Sequence, residues 1–156
     1  MGVELNRKAR GDLAELKVAA DLRARGYRIA FPYGEDWDYD LILCRPDGRL
    51  ERVQVKHARS DGRVMIVWAS SHSLTNGKVK ATKRYTAEMI DWLAVWDCAL
   101  DRCFYVPAAE LRKGHESPNP SLCSDAQQPE HADPLRRAVR PHLIYAGSPR
   151  IEVLGP

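Results

Sequence analysis

The stretch Asp40-Leu-Ile-Leu-Cys-Arg-Pro-Asp-Gly-Arg-Leu-Glu-Arg-Val-Gln-Val-Lys56 decides how the rest of the chain is read. Tyr39 to Cys44 is mostly apolar and β-prone, Pro46-Asp47-Gly48 is a turn sequence, and Leu50 to His57 is a second β-prone run. The pattern predicts a β-hairpin. Side chains alternate faces along a strand, so Gln54 and Lys56 point one way and Val53 and Val55 the other. Asp40 begins the first strand, and Gln54 and Lys56 lie towards the end of its antiparallel partner. The hairpin therefore brings a carboxylate, an amide and an ammonium to one end of the sheet.

Working towards the N-terminus, Tyr27 to Phe31 reads as a short strand and Pro32 to Asp36 as a loop delivering the chain to Trp37 and Asp38. Gly11 to Arg25 reads as a helix, rich in Ala, Leu, Glu, Lys and Arg and closed by Gly26. Glu15 shares a face with Val18, Ala19 and Leu22. A carboxylate on an apolar face is costly unless something pairs with it. The ordinary alternative is a flanking surface Glu near Arg23 and Arg25.

Working towards the C-terminus, Ser60 to Arg63 reads as a turn and Val64 to Trp68 as a third strand of the same meander. Ala69 to Arg84 is polar and lacks apolar periodicity. It reads as a mobile loop whose Lys78, Lys80, Lys83 and Arg84 suit phosphate contacts, or as an ordinary solvated loop. Thr86 begins a single helical turn over 87–91. Trp92 to Trp96 is a buried-type strand, Cys103 to Val106 its returning partner, and Pro107 opens a short helix over 108–112. Residues 113–134, with Pro118, Pro120, Pro129 and Pro134 among polar residues, read as an irregular connector. One more helix or strand falls within 135–145, and Arg150 to Leu154 forms a terminal strand. The organisation expected is a core over 1–112 and an extension over 113–156, partly irregular and suited to oligomerisation.

The 156 residues suffice for one well-packed core, and 44% hydrophobic with 29% charged residues is an ordinary globular balance. No apolar run reaches the roughly 18 residues of a membrane span, and the N-terminus lacks a signal-peptide core. The four cysteines, Cys44, Cys98, Cys103 and Cys123, contain no Cys-x-x-Cys pair, and the histidines complete no zinc set. Reduced thiols in a cytoplasmic protein are expected. The net charge of +3 is mild, but its distribution is uneven. Cations cluster at Arg7, Lys8 and Arg10, at Lys78 to Arg84, and at Arg136, Arg137 and Arg140. Acids gather at 35–40 and 91–101. An acidic pocket in basic surroundings suits a metal-dependent enzyme acting on a polyanion, and a normally salted surface would look much the same.

Phosphodiester hydrolysis with a divalent cation needs oxygen ligands, an activated water and a fixed positive charge. Asp40 can supply an anionic ligand, the Gln54 side-chain oxygen and the Val55 carbonyl neutral ones, and Lys56 the cation. Glu15 reaches the same place if the first helix packs across the sheet. The competing reading makes Asp40 a strand-start residue, with Gln54 and Lys56 on the solvent face of an edge strand.

The order Glu15, Asp40, Gln54-Val55-Lys56 resembles the PD-(D/E)XK nuclease superfamily, with Gln in the place of the usual acid and Tyr39-Asp40 in the place of Pro-Asp. Gly11-Asp-Leu-Ala-Glu15, Gly26-Tyr27, Tyr39 to Ile42, Arg52 to Lys56, and Asp91 to Trp96 followed by Cys103 to Pro107 look like the small endonucleases associated with group I introns. The resemblance covers about residues 10–111 and implies an α/β restriction-endonuclease-like core, a mixed β-sheet flanked by helices. It implies Glu15, Asp40, Gln54 and Lys56 as catalytic residues and Mg²⁺ as cofactor, with Mn²⁺ able to substitute. The activity implied is DNA cleavage by a homodimer or homotetramer, since two strands need two sites. Archaeal-type Holliday junction resolvases share the same scaffold, so junctions and site-specific duplexes both stand as substrates. The loss of one acid also leaves open a catalytically silent DNA-binding module. A purely structural interaction domain is the third reading.

Overall fold

The structure is a computed structural model. It describes residues 5–34, 36–61, 63–75, 78–111 and 150–154, with the backbone alone described for 72–75, 78–81, 150 and 152–154. The connector expected over 113–134, the element expected within 135–145 and most of the proposed extension lie outside the described residues.

Helix α1 spans Arg7–Ala24. It starts one turn earlier than expected because Asn6 caps it, accepting a hydrogen bond from the Ala9 N–H at 2.9 Å. Gly26 ends it with φ 87°, a backbone conformation that a residue with a Cβ adopts at a penalty. The Tyr27 N–H then closes on the Leu22 carbonyl at 3.1 Å and turns the chain into the sheet. Strands β1 (Arg28–Ala30), β2 (Leu41–Cys44), β3 (Leu50–Ala58), β4 (Val64–Trp68), β5 (Ser70–Thr75), β6 (Lys78–Arg84), β7 (Trp92–Asp97), β8 (Arg102–Pro107) and β9 (Arg150–Leu154) follow.

The main sheet has five strands in the order β1-β2-β3-β7-β8. All its pairings are antiparallel except β3 with β7, which are parallel. The hairpin β2–β3 forms in the expected register, Cys44 opposite Leu50 and Leu41 opposite Val53. A clip then sets β7 beside β3. The Asp91 carboxylate accepts from the Arg52 N–H at 2.7 Å and from its guanidinium, while the Asp91 N–H donates to the Arg52 carbonyl.

Two cores cover the two faces of this sheet. Helix α1 lays Ala14, Val18, Ala19 and Leu22 against Val53, Val55, Trp92, Ala94 and Trp96. On the other face Leu93 and Val95 pack with Met65, Val67, Tyr85, Ile90 and Ala108. Every residue of β7 is buried because both of its faces are covered. The result is an α/β fold with a mixed sheet, as expected.

Two expectations fail. Strand β4 does not extend the meander. It pairs in parallel with β9 in a separate two-stranded sheet, since β7 already occupies the free edge of β3. Residues 70–75 and 78–84 are not an irregular loop either. They form the antiparallel hairpin β5–β6, with Ser70 opposite Arg84 and Thr75 opposite Lys78. The two residues between Thr75 and Lys78 are Asn76 and Gly77, the dipeptide that most favours a two-residue hairpin connection. The turn at Thr86 is made by its carbonyl, which accepts from Met89 and Ile90 at 3.0 Å each. A 3-10 turn, Ala108–Glu110, stands where a short helix was expected. Among the described residues no helix is long and apolar enough to cross a membrane, and Cys44, Cys98 and Cys103 are free.

Candidate active site

The hairpin places Asp40 just before β2, its own N–H bonded to the Val53 carbonyl at 2.9 Å. That bond turns the carboxylate along β3. Asp40 Oδ2 accepts from the Val55 N–H at 2.7 Å and from the side-chain nitrogen of Gln54. The same nitrogen donates to the Val55 carbonyl at 3.2 Å. Gln54 is buried, and its amide is held between an acid and a carbonyl. Burial raises the Asp40 carboxyl above the usual range, against the opposing pull of the Val55 N–H, Lys56 and Gln54.

Lys56 follows on the same face of β3 as Gln54. Its ammonium lies 3.4 Å from the Tyr85 hydroxyl and 4.9 Å from the centre of the Tyr85 ring. Burial lowers its pKa, and the Asp40 carboxylate works against that shift. Tyr85 leaves the end of β6 with its N–H bonded to the Ala69 carbonyl at 3.0 Å. Burial raises its phenol, as do the carboxylates Asp40 and Asp38, while a hydrogen bond with Ser71 pulls the other way. The sequence pattern had not marked Tyr85 or Ser71. Their one signal was the hairpin they frame, which was read as a loop.

Glu15 approaches from α1. Burial and then the Asp40 and Asp12 carboxylates push its carboxyl up to about 7. Asp40 is thus the common member of the group, sensed by Glu15 and in turn stabilised by Gln54, Val55 and Lys56. Asp40, Gln54 and the Val55 backbone are joined by hydrogen bonds, the Asp40 carboxylate acts on both Lys56 and Glu15, and Glu15 stands on the α1 face of the sheet while Gln54 and Lys56 point to the other.

Among the described residues the acids of 91–101 do not join a wider acidic pocket. Asp91 is held by Arg52, and the buried Asp97 accepts from the backbone and hydroxyl of Ser60. Asp101 accepts from Lys17 at 2.7 Å and from the Trp96 indole at 2.9 Å. Among the described residues no three His, Cys, Asp or Glu side chains gather as a metal-holding group. The donors present are two carboxylates, an amide and a backbone carbonyl, all oxygen donors of the kind a hard cation takes. Two neighbouring carboxyls with raised pKa also describe a place where added positive charge is favourable.

Of the four cations expected to meet DNA, Lys83 forms an ion pair with Asp38, and Arg84 is exposed. Lys78 and Lys80 lie on β6.

Among the described residues, a mixed sheet backed by helix α1 carries an acid, an amide and a lysine at the hairpin's end, an α/β core. The PD-(D/E)XK endonuclease family profile matches residues 5–132, and the chain belongs to that family. Among solved structures, a bacterial homing endonuclease, I-Ssp6803I, shares the fold with a TM-score of 0.57 and 20% identity, over 67% of this chain and 70% of that one. No curated protein matches the chain.

Proposed function

We propose that this protein is a Mg²⁺-dependent DNA endonuclease that hydrolyses phosphodiester bonds. The reading is supported by the Asp40, Gln54 and Val55 hydrogen-bonded group, with Lys56 and Glu15 each acted on by the Asp40 carboxylate, in a chain of an endonuclease family. Asp40, Gln54, Val55 and Glu15 would hold the cation. When bound, it would supply a water of lowered pKa and polarise the scissile phosphate.

The chain's own residues have separable parts in this reading. Asp40 presents an anionic oxygen whose direction is set by the Val55 N–H. Gln54 offers its side-chain oxygen once the amide turns about its last torsion. Lys56 carries a positive charge beside Asp40, placed to steady negative charge on the phosphate. Glu15 would hold the cation through a bound water. The exposed Arg84 and the cations of β6 would track the DNA backbone. One site per chain requires a homodimer or homotetramer to cut both strands. Four-way junctions and long duplex targets remain the two substrate classes of this reading, Mn²⁺ would serve in place of Mg²⁺, and a cytoplasmic location goes with it.

One observation favours a second reading, a silent DNA-binding module of the same fold. The Gln54 amide meets Asp40 with its nitrogen, a donor, where an acid would repel it. A plasmid-nicking assay separates the two. The endonuclease reading expects nicking with Mg²⁺, none with EDTA, and none from Asp40→Asn or Lys56→Met variants that still bind DNA. Binding without nicking by the parent protein would establish the silent module.

A further inference from the structure

The segment that leads into Asp40 carries three aromatic side chains turned towards water. Phe31 is 54% exposed, Tyr33 99% and Trp37 52%. Large aromatic surface left in water is unfavourable, and such patches mark binding sites more often than isolated exposed residues do. Gly34, with φ 95°, bends the segment, and the Trp37 indole N–H closes it on the Tyr33 carbonyl at 2.7 Å. Trp37 is further braced by the Tyr39 ring, 5.4 Å away at 49°. Tyr39 is itself packed against the second core. Trp37 is therefore held by the body of the protein, and the Tyr33 backbone is tied to it while the Tyr33 ring stands free in water.

Its position is specific. Trp37 precedes Asp40 by three residues, so the two Cα atoms lie within about 11 Å. Asp38, between them, is tied to Lys83, and the exposed Arg84 follows. Aromatic faces beside cationic side chains are the two ingredients of a platform for unpaired nucleic-acid bases. Stacking accepts any base, and the cations follow the backbone. A second copy of the chain would also cover apolar rings, but it would not account for the placement of Trp37 within three residues of Asp40 and next to the Asp38–Lys83 pair.

We propose that Tyr33 and Trp37 form a stacking platform for unpaired bases flanking the cleaved phosphate, so that DNA with a bulge, gap or branch is preferred to perfect duplex. This rests on the endonuclease reading.

The test is binding in EDTA, where no cutting occurs. Fluorescence anisotropy would compare a labelled duplex with the same duplex carrying a three-base bulge, using the parent chain, Tyr33→Ala, Trp37→Ala and Trp37→Phe, each checked for an unchanged melting temperature. The parent should bind the bulged DNA more tightly. Trp37→Ala should lose about 5- to 100-fold on bulged DNA and much less on duplex, while Trp37→Phe retains most of the preference. Equal affinities for both DNAs in the parent, or variants that weaken both equally, would overturn the proposal and leave the endonuclease reading intact. Variants that change only the sedimenting mass would assign the patch to self-association instead. A parent that binds neither DNA would overturn both readings.

Discussion

The side-chain nitrogen of Gln54 donates to Asp40, and it also lies 3.2 Å from the Val55 carbonyl oxygen. An N–H donor therefore stands between two oxygens that a cation would otherwise join. Seating a cation there requires the amide to turn, replacing its nitrogen by its oxygen. Mg²⁺ should accordingly move the Gln54 side-chain amide resonance in a ¹⁵N spectrum while leaving most of the β-sheet unchanged. A titration that leaves that resonance in place would show the amide plays no part.

The same geometry predicts the behaviour of Gln54→Glu. A second carboxylate against Asp40, in a buried position, loses a hydrogen bond and adds repulsion. The metal-free variant should be less stable by about 2 kcal/mol at pH 8. Mg²⁺ should restore that loss, and half-maximal metal should fall below the parent's value. Denaturant melts with and without Mg²⁺ would measure both. An unchanged metal-free stability would mean the Gln54–Asp40 hydrogen bond does not contribute.

Glu15 has a folded-state carboxyl near 7, above its ordinary value of 4.5. A raised acid binds its proton more tightly in the folded state, so folding is favoured at low pH. The associated destabilisation develops as pH rises from about 4.5 to 7 and is complete above that. Because the side chain is only partly buried, solvent screening reduces the effect to about 1 kcal/mol. Urea unfolding in EDTA should show Glu15→Gln gaining about that much at pH 8 and nothing at pH 4.5. Asp40, raised in the same direction, leaves a residual pH dependence in the variant.

Tyr85 touches Lys56 in two ways, by its hydroxyl at 3.4 Å and by its ring face at 4.9 Å. The first contact is long, so Tyr85→Phe should lower kcat by less than about 5-fold. Tyr85→Leu removes the ring and should lower kcat by about 10-fold or more, with a loss of roughly 2 kcal/mol from the second core. Affinity for DNA in EDTA should hardly change in either. A Phe variant as impaired as the Leu variant would shift the role from the ring to the hydroxyl.

Lys83 and Asp38 form an exposed ion pair, so Lys83→Ala should alter stability by less than about 1 kcal/mol. Arg84→Ala, which removes an exposed cation, should weaken DNA binding at every sequence and lower the salt slope by about one. Affinity measured against salt concentration would show it.

The site was legible because its members are close in sequence or periodic. Asp40, Gln54 and Lys56 are joined by one hairpin whose turn is written in Pro46-Asp47-Gly48, and Glu15 stands out as an acid on an apolar helix face. What could not be read was non-local. The parallel pairing of β3 with β7, fixed by Arg52 and Asp91, displaces β4 from the sheet, and nothing in Val64 to Trp68 reveals a partner at Arg150 to Leu154. The hairpin β5–β6 was hidden by its polar composition, since the signal at Asn76-Gly77 lacked the apolar alternation that normally accompanies it. Tyr85 was missed with it. Asp91, Asp97 and Asp101 looked like part of an acidic pocket because charge counting cannot see which acids already have partners.

In the proposed endonuclease, Asp40, Gln54 and the Val55 carbonyl share one cation. A crystal soaked in Mn²⁺ and recorded at the manganese absorption edge tests it most directly. The account predicts an anomalous peak about 2.2 Å from an Asp40 carboxylate oxygen and the Val55 carbonyl oxygen, with the Gln54 oxygen turned towards it. A protein that cleaves DNA in Mn²⁺ yet binds the ion elsewhere, with the Gln54 nitrogen still on Asp40, would contradict it.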